Sequence, residues 1–306
     1  MKKMIYLFSF LTSVIFAKVT YTTQDYYTCA ADRGYVYMPN VEGEVPAVVF
    51  AHGLGGMKKD HYNVLYEEWI NEGYLKPFAL IMPFIENVGH NAYVCKDYDT
   101  NKVEWLGKLI KRMDKGTFDT NTTKLNKDGY SFAGYSMGGA SAILAGIAYN
   151  DKFVNIGAGS PAQFVHDPAN GVSWLMGSSE TKSCKYTDRA DRHILLTSGY
   201  AGQEDGHYKT ANRVYDALNE INGNVFAQIT FDYNSHDHNL FAQEFFSFLY
   251  YIQYDILPSE EILEKVFKSD AIKIKSIISP SNNKDESNDK KQEEEKKDEA
   301  KEPVIE

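Results

Sequence analysis

The stretch that most constrains this 306-residue chain is Gly134-Tyr135-Ser136-Met137-Gly138-Gly139. It follows an apolar run that ends at Ala133, and it precedes a run with helical character from Ala140 to Ala148. A serine at such a junction needs a sharp turn, and flanking glycines permit it because no Cβ blocks the close approach of strand and helix. The pattern predicts a strand, a tight turn and a helix, with Ser136 as a candidate nucleophile.

Short apolar runs alternate with helical patterns along the rest of the chain. The predicted strands are 34–39, 46–51, 77–82, 130–133, 153–158, 193–197 and 225–231. The predicted helices are 58–71, 103–113, 140–149, 208–221 and 239–256. Residues 18–31 are polar and rich in Tyr and Thr, which favours an extended leader or an edge strand. Strands that alternate with helices predict an α/β fold with a doubly wound, mostly parallel sheet and helices on both faces.

The two ends of the chain differ from this pattern. A basic start and an apolar stretch from Met4 to Phe16 predict a secretory signal peptide that ends near Ala17, with an uncleaved anchor as the alternative. That stretch is short for a membrane span, so no span is expected after cleavage. The C-terminal residues are rich in Asn, Lys, Asp and Glu and cannot bury enough apolar surface to order themselves. The predicted segments are a signal peptide (1–17), a folded domain (18–257), a weakly helical extension (258–279) and a disordered charged tail (280–306).

Charge and cysteine content exclude some functions. A net charge of -10 argues against a nucleic-acid-binding protein, because such proteins must neutralise phosphates. Cys29, Cys95 and Cys184 allow one disulfide in an oxidising compartment, and the sequence does not indicate which pair forms it. The cysteines do not have the spacing of a metal site, so a cysteine-bound metal is not expected.

A serine hydroxyl is a weak nucleophile and needs a base within hydrogen-bond reach. Two later strands are followed by acidic and basic side chains. Residues 198–205 follow the strand 193–197, and residues 232–238 follow the strand 225–231. The resulting order of nucleophile, acid and base along the chain is the order used by doubly wound hydrolases.

These two segments supply the candidate partners of the serine. We predict Asp205 as the acid and His236 as the base. Glu204 is the alternative acid, since it is adjacent and has the same chemistry, and His238 is the alternative base. An aspartate or a histidine at the start of a helix is also a common cap or surface residue, which is the simpler interpretation of His238.

A glycine-rich turn, His52-Gly53-Leu54-Gly55-Gly56, follows the strand 46–51. Such a turn can present the backbone N–H of Leu54 to a substrate carbonyl, and the N–H of Met137 is the second donor of the predicted oxyanion hole. The turn lacks the Lys-Ser/Thr ending of a nucleotide-binding loop. We expect His52 to have a structural role.

Together these motifs resemble the α/β-hydrolase superfamily, and within it the esterase D and feruloyl-esterase-like carboxylesterases. The resemblance covers about residues 34–256 and rests on the segments 52–56, 134–139, 202–205 and 235–237. It implies that residues 18–257 form a catalytic domain. It also implies that Asp205 and His236 are the acid and the base, and that no cofactor takes part.

The expected function is that of a secreted or periplasmic serine esterase. It would hydrolyse small or carbohydrate-linked carboxylic esters through an acyl-enzyme. Phe84, Tyr93 and Trp174 are candidate substrate-binding residues, although aromatic side chains also pack long loops. A lipase, a polyester hydrolase or an acyltransferase would use the same residues. An inactive hydrolase-fold binding module is the alternative from another class. The sequence does not indicate an oligomeric state.

Overall fold

A computed structural model describes residues 18–29, 32–53, 63–83, 104–149, 151–162, 192–222 and 226–280. Several sequence predictions therefore lie outside the described residues. They are the signal peptide at 1–17, the candidate substrate-binding residues Phe84, Tyr93 and Trp174, the turn residue Leu54, and the tail beyond residue 280.

A nine-stranded sheet forms the centre of the described structure. Its strands are β1 (Tyr21–Cys29), β2 (Asp32–Pro39), β4 (Ala47–Ala51), β5 (Ala79–Pro83), β7 (Tyr130–Tyr135), β8 (Phe153–Gly159), β9 (His193–Ser198), β10 (Phe226–Phe231) and β11 (Ile274–Ile278). The spatial order is β1-β2-β5-β4-β7-β8-β9-β10-β11. Pairing is parallel from β5 through β10, and β1, β2 and β11 join antiparallel. The predicted α/β class and mostly parallel sheet are confirmed.

Six α-helices accompany the sheet in the described residues. They are α1 (Asn63–Asn71), α2 (Glu104–Asp114), α3 (Met137–Ala148), α4 (Asp205–Asn222), α5 (His238–Tyr254) and α6 (Glu260–Phe267). Single 3₁₀ turns at Gly202–Glu204 and Lys268–Asp270 precede α4 and follow α6. Within the described ranges, no helix combines the length and the apolar character that crossing a membrane requires.

Strand β4 explains why the strands of this sheet appear as continuous apolar runs. Val49 and Ala51 belong to the core on one face, which contains side chains of α2, α3 and α4. Val48 and Phe50 belong to the core on the other face, which contains side chains of α1, α5 and α6. Alternate residues of a strand point to opposite faces, so both positions of the pleat must be apolar. Phe50 packs edge-on against Phe245 of α5 at 4.8 Å, and each such buried side chain stabilises the fold by about 2 kcal/mol.

The segment after α5 differs from its prediction as a weakly helical extension. Helix α6 is shorter than predicted and ends at Phe267. It buries Leu263 completely, in the core that also contains side chains of α1 and α5. The chain then forms β11, which pairs antiparallel with β10. Residues 260–278 are therefore part of the folded domain. A helical and an alternating apolar pattern both fit this stretch, and pairing with the edge of β10 decides between them.

The edge strand predicted within residues 18–31 is confirmed as β1. A small second sheet was not predicted. In it, β3 (Gly43–Val45) pairs parallel with β6 (Thr123–Leu125), in segments that lie outside every predicted strand and helix. Three-residue strands have too few positions to show a clear alternation.

Candidate active site

Ser136 lies at the turn between β7 and α3, as the sequence predicted. Its φ is 58°, in the left-handed region that non-glycine residues seldom adopt. Three backbone hydrogen bonds hold this conformation. Ser136 N donates to Gly159 O at 2.9 Å, and Ser136 O accepts from Ala140 N at 3.1 Å and from Ala162 N at 2.8 Å. The strained serine is thus fixed by both the helix it starts and the end of the neighbouring strand.

The glycines around Ser136 are required by close backbone packing. A Cβ on Gly134 would lie 2.1 Å from the carbonyl oxygen of Gly138, and a Cβ on Gly138 would lie 1.9 Å from that of Ala51. Both distances are far below a van der Waals contact. Strand β7, helix α3 and the end of β4 can therefore meet at the turn only if these positions lack a side chain.

The first two residues of the glycine-rich turn, His52 and Gly53, follow β4, and Gly53 lies beside the serine. A Cβ on Gly53 would be 3.1 Å from the Cβ of Ser136, so the turn begins in contact with the candidate nucleophile. His52 Nδ1 lies 2.7 Å from Gly53 O, and burial lowers the pKa of His52. The predicted donor Leu54 lies outside the described residues. The other predicted donor, Met137, is the first residue of α3, where backbone N–H groups have no acceptor within the helix.

His236 is held by an acid, and that acid is Glu204. His236 Nδ1 lies 2.5 Å from Glu204 Oε1, and the backbone N of His236 donates to Gln203 Oε1 at 3.0 Å. Glu204 has no solvent-exposed surface. A buried carboxylate at Nδ1 fixes the orientation of the imidazole and leaves Nε2 as its free basic atom.

Asp205, which the sequence analysis favoured as the acid, does not approach His236. Its side chain is 54% exposed and forms an ion pair with Lys209 Nζ at 2.7 Å. Glu204 ends the 3₁₀ turn and Asp205 begins α4, and successive residues of such helices point about 100–120° apart. Glu204 therefore points inward and Asp205 outward. The prediction of Asp205 is corrected to its neighbour, the alternative acid.

The structure also separates the two candidate bases. His238 is the first residue of α5 and is exposed. Asp237 caps that helix, since its Oδ1 accepts from Asn239 N at 3.0 Å and from Leu240 N at 3.2 Å. The contact with Glu204 belongs to His236, the residue that was predicted as the base.

A profile of the Esterase family matches residues 32–250, which is well over half of the chain. The chain belongs to the Esterase family. Solved structures of similar fold include a ferulic acid esterase from Anaeromyces mucronatus in complex with ferulic acid. It shares 15% identity and a TM-score of 0.54, over 78% of this chain and 92% of that one.

Two further structures have the same fold. S-formylglutathione hydrolase from Staphylococcus aureus shares 19% identity and a TM-score of 0.54, over 76% of this chain and 96% of that one. The enterobactin esterase from Shigella flexneri shares 14% identity and a TM-score of 0.56, over 76% of this chain and 58% of that one. The predicted resemblance to α/β-hydrolase esterases is confirmed, and the protein is a carboxylic ester hydrolase.

The imidazole of His236 in this esterase lies between two rings. Tyr135 stacks on it at 4.6 Å between centroids and 17° between planes, and His207 stacks at 4.1 Å and 5°. His207 was not among the residues predicted from the sequence. It follows Glu204 by three residues at the start of α4, a spacing that places both on one helix face. That spacing is the signal that could have found it.

The surroundings of His207 favour its neutral form, which suits a ring stacked on His236. Its Nδ1 lies 3.2 Å from Pro161 O. Burial lowers the pKa of His207, and proximity to His236 lowers it further. A neutral His207 can stack on His236 without repelling the positive charge that a general base acquires during catalysis.

Glu204, His207 and His236 offer ligand atoms that lie within 4.8 Å of one another, which raises the question of a metal site. A histidine nitrogen binds an ion about 2 Å away, along a lone pair in the plane of its ring. The two imidazoles are nearly parallel and 4.1 Å apart, so a single ion cannot lie in both ring planes. The geometry fits a stacked general base and does not fit a metal centre.

Proposed function

We propose that this esterase is a secreted serine hydrolase that forms an acyl-enzyme on Ser136. The observation that supports this most is the buried contact between Glu204 and His236, on the side of the sheet where β7 ends at Ser136. A buried acid that orients a histidine, at the same end of the sheet as a strained serine, is the arrangement expected of a site that activates a hydroxyl group.

In the proposed first step His236 accepts the Ser136 proton at Nε2 while Ser136 Oγ attacks the ester carbonyl. The carboxylate of Glu204 stabilises the imidazolium that forms. The backbone N–H of Met137, together with that of Leu54, donates to the developing oxyanion. The tetrahedral intermediate then collapses, the C–O bond breaks, and His236 gives its proton to the departing alcohol.

The second half of the reaction repeats this chemistry with water. His236 removes a proton from water, the resulting hydroxide attacks the acyl carbonyl, and Ser136 leaves with the proton that His236 returns. An alcohol in place of water would make the protein an acyltransferase on the same residues. Elementary proton transfer and acyl transfer need no cofactor.

We propose esters with small or aromatic acyl groups, including carbohydrate-linked esters, as the substrate class. The solved structures of similar fold support this class, since they include esterases of ferulic acid and of enterobactin. Phe84, Tyr93 and Trp174 are the proposed lining of the acyl or alcohol pocket. The basic and apolar start of the chain, residues 1–17, supports export from the cytoplasm.

Substitution of the serine tests the nucleophile. Ser136→Ala should abolish hydrolysis of p-nitrophenyl acetate and should prevent covalent labelling by a fluorophosphonate, both measured on the full chain. Ser141→Ala is the matched control, because Ser141 lies one turn further along α3 and its hydroxyl donates to Met137 O at 2.7 Å. Activity retained in Ser136→Ala would reject the proposal. No hydrolysis and no labelling in the unaltered protein would favour the binding module.

A panel of acetyl, butyryl, longer acyl and feruloyl esters tests the substrate class. The highest kcat/KM should fall on a short or an aromatic acyl group. A preference that rises with acyl length would favour a lipase, and formation of a new ester in the presence of an added alcohol would favour an acyltransferase.

A further inference from the structure

A second buried carboxyl group lies behind Glu204. Ser160 Oγ lies 2.7 Å from Glu204 Oε2 and 2.8 Å from Glu244 Oε1. Glu204 and Ser160 have no exposed surface, and Glu244 is 2% exposed. Two acidic groups thus share one hydroxyl in the interior of the esterase, directly behind the acid that holds His236.

Ser160 can form hydrogen bonds to both carboxyl groups only if one of them carries a proton. A serine hydroxyl carries one hydrogen and can donate it to one carboxyl group. The other contact is a hydrogen bond only if that carboxyl carries a proton and donates it to Ser160 Oγ. Without such a proton, two carboxylate oxygens would face one another across a single hydroxyl in a buried region, at a high cost in free energy.

The remaining contacts show which group carries the proton. Glu204 faces two further donors, His236 Nδ1 at 2.5 Å and Gly199 N at 3.1 Å. Glu244 Oε1 faces Ser160 N at 3.2 Å, an N–H that Thr197 O also accepts at 2.8 Å, and the Thr197 hydroxyl is a further donor. By the geometry of the contacts, Glu244 Oε2 is nevertheless buried without a hydrogen-bond partner among the described residues. A buried carboxylate oxygen without a donor disfavours the anion of Glu244, so the proton belongs to Glu244.

The surroundings of Glu244 agree with this assignment. Glu244 extends from α5 toward the ends of β7, β8 and β9, and the described residues that line the adjoining space include no basic side chain. The charged group that faces Glu244 from another element is Glu204, with the rings of His236 and His207 beyond it. Burial raises the pKa of Glu244 well above its ordinary value, and the negative charge of Glu204 raises it further.

We propose that Glu244 is a neutral carboxylic acid that positions the Glu204–His236 pair through Ser160. Glu244 donates to Ser160 Oγ, Ser160 donates to Glu204, and Glu204 accepts from His236. The protons stay where they are, so Glu244 and Ser160 are positioning residues. They hold the Glu204 carboxylate in place and share its charge. This inference rests on the proposed role of His236 as the general base.

The backbone conformation of Ser160 supports its role as a positioning residue. Its φ is 38°, a conformation in which a non-glycine residue is strained by about 1 kcal/mol or more. The strained backbone places the N–H and the hydroxyl oxygen of Ser160 within hydrogen-bond distance of the same oxygen of Glu244. Glycine would relieve the strain, so the Ser160→Gly variant is expected to fold.

Ser160→Gly removes the hydroxyl of the relay. Glu204 then loses one donor and its charge acts more strongly on His236, which stabilises the protonated imidazole. We expect kcat to fall about tenfold with little change in KM. The acid limb of the kcat/KM profile should move to higher pH, because the general base must be neutral to act. Ser247→Ala is the matched control, since this buried hydroxyl donates to Gln243 O on α5. An unchanged kcat and acid limb in Ser160→Gly would overturn the proposal.

Glu244→Gln tests the protonation directly. If Glu244 is neutral, the substitution leaves the charge near His236 unchanged and the acid limb stays in place. If Glu244 is an anion, its removal destabilises the protonated imidazole and the acid limb moves to lower pH by about one unit or more. That second result would overturn the proposal.

Infrared spectroscopy gives a measurement that does not depend on activity. The unaltered protein at neutral pH should show the carbonyl stretch of a protonated carboxyl group, and Glu244→Gln should lack it. Absence of the band in the unaltered protein would contradict a neutral Glu244. Absence of ester hydrolysis with the band present would reject the proposed function and leave the protonation intact.

Discussion

Among the described residues, the carboxyl groups near the two ends of strand β7 have opposite kinds of partner: a half-buried one is paired with a lysine, and two buried ones are not. At its start, Tyr130 Oη and Lys152 Nζ each donate to Asp114 at 2.8 Å. Burial alone would raise the pKa of Asp114, but these partners lower it. Beyond its other end lie Glu204 and Glu244, bridged by Ser160 with no described lysine or arginine in contact with either.

We interpret Asp114 as an acid that stabilises the fold and Glu204 as the acid of the proposed catalytic mechanism. In the proposed mechanism, a cation beside Glu204 would offset the negative charge that stabilises protonated His236. At the start of the strand the carboxylate has a permanent partner, and its charge is used for stability. At the active end the negative charge remains available, and we attribute its stability to hydrogen bonds instead of a cation.

The largest expected effect comes from removing that negative charge. Glu204→Gln should lower kcat by about 10⁴-fold, because a neutral amide no longer orients the imidazole or stabilises its protonated form. The measurement is steady-state hydrolysis of p-nitrophenyl acetate. Asp205→Asn is the matched control on the adjacent residue, whose partner is Lys209, and it should change kcat little. The opposite ranking would return the role of the acid to Asp205.

A smaller effect is expected from the ring that stacks on His236. His207→Ala should lower kcat by up to about tenfold, since aromatic stacking contributes about 0.5–1.5 kcal/mol. His207→Phe keeps a flat ring and should recover most of the activity. If both variants lose the same activity, His207 acts through its Nδ1 contact with Pro161 and not through stacking.

The smallest expected effects are on the free energy of unfolding, which should depend on pH in opposite ways through Asp114 and Glu244. The folded pKa of Asp114 is lowered, so its contribution is present above its ordinary pKa and is lost as pH falls. The pKa of Glu244 is raised in the folded protein. Keeping this group protonated therefore lowers the free energy of unfolding as the pH rises above the ordinary pKa of Glu. Glu244→Gln should therefore gain stability relative to the unaltered protein on raising the pH, by up to about 1 kcal/mol per pH unit.

Asp114→Asn should show the reverse trend. Its stability relative to the unaltered protein should be lowest near neutral pH and recover as the medium becomes acidic, by less than about 1 kcal/mol because the pair with Lys152 is 37% exposed on each side. Urea unfolding at several pH values measures both slopes. Parallel slopes for the two variants would remove the distinction between the two ends of β7.

The positions of most elements could be predicted because they depend on local patterns. Strand β4 is apolar at every position since both faces of a parallel sheet are covered, and the Gly-x-Ser-x-Gly turn leaves no alternative at Gly138. The acid was one residue away from its predicted position. Glu204 and Asp205 have the same chemistry, and they differ only in that successive residues of a helix point about 100–120° apart, which directs Glu204 inward and Asp205 outward.

The sequence by itself determined the fold class, the strained serine and the histidine that follows β10, because each depends on spacing along the chain. The tertiary structure decided the rest. His207, Ser160 and Glu244 reach Glu204 and His236 from separate elements, and Ile274 to Ile278 form a strand because β10 offers an unpaired edge. Burial and proximity set protonation states, and neither is a property of a residue's neighbours along the chain.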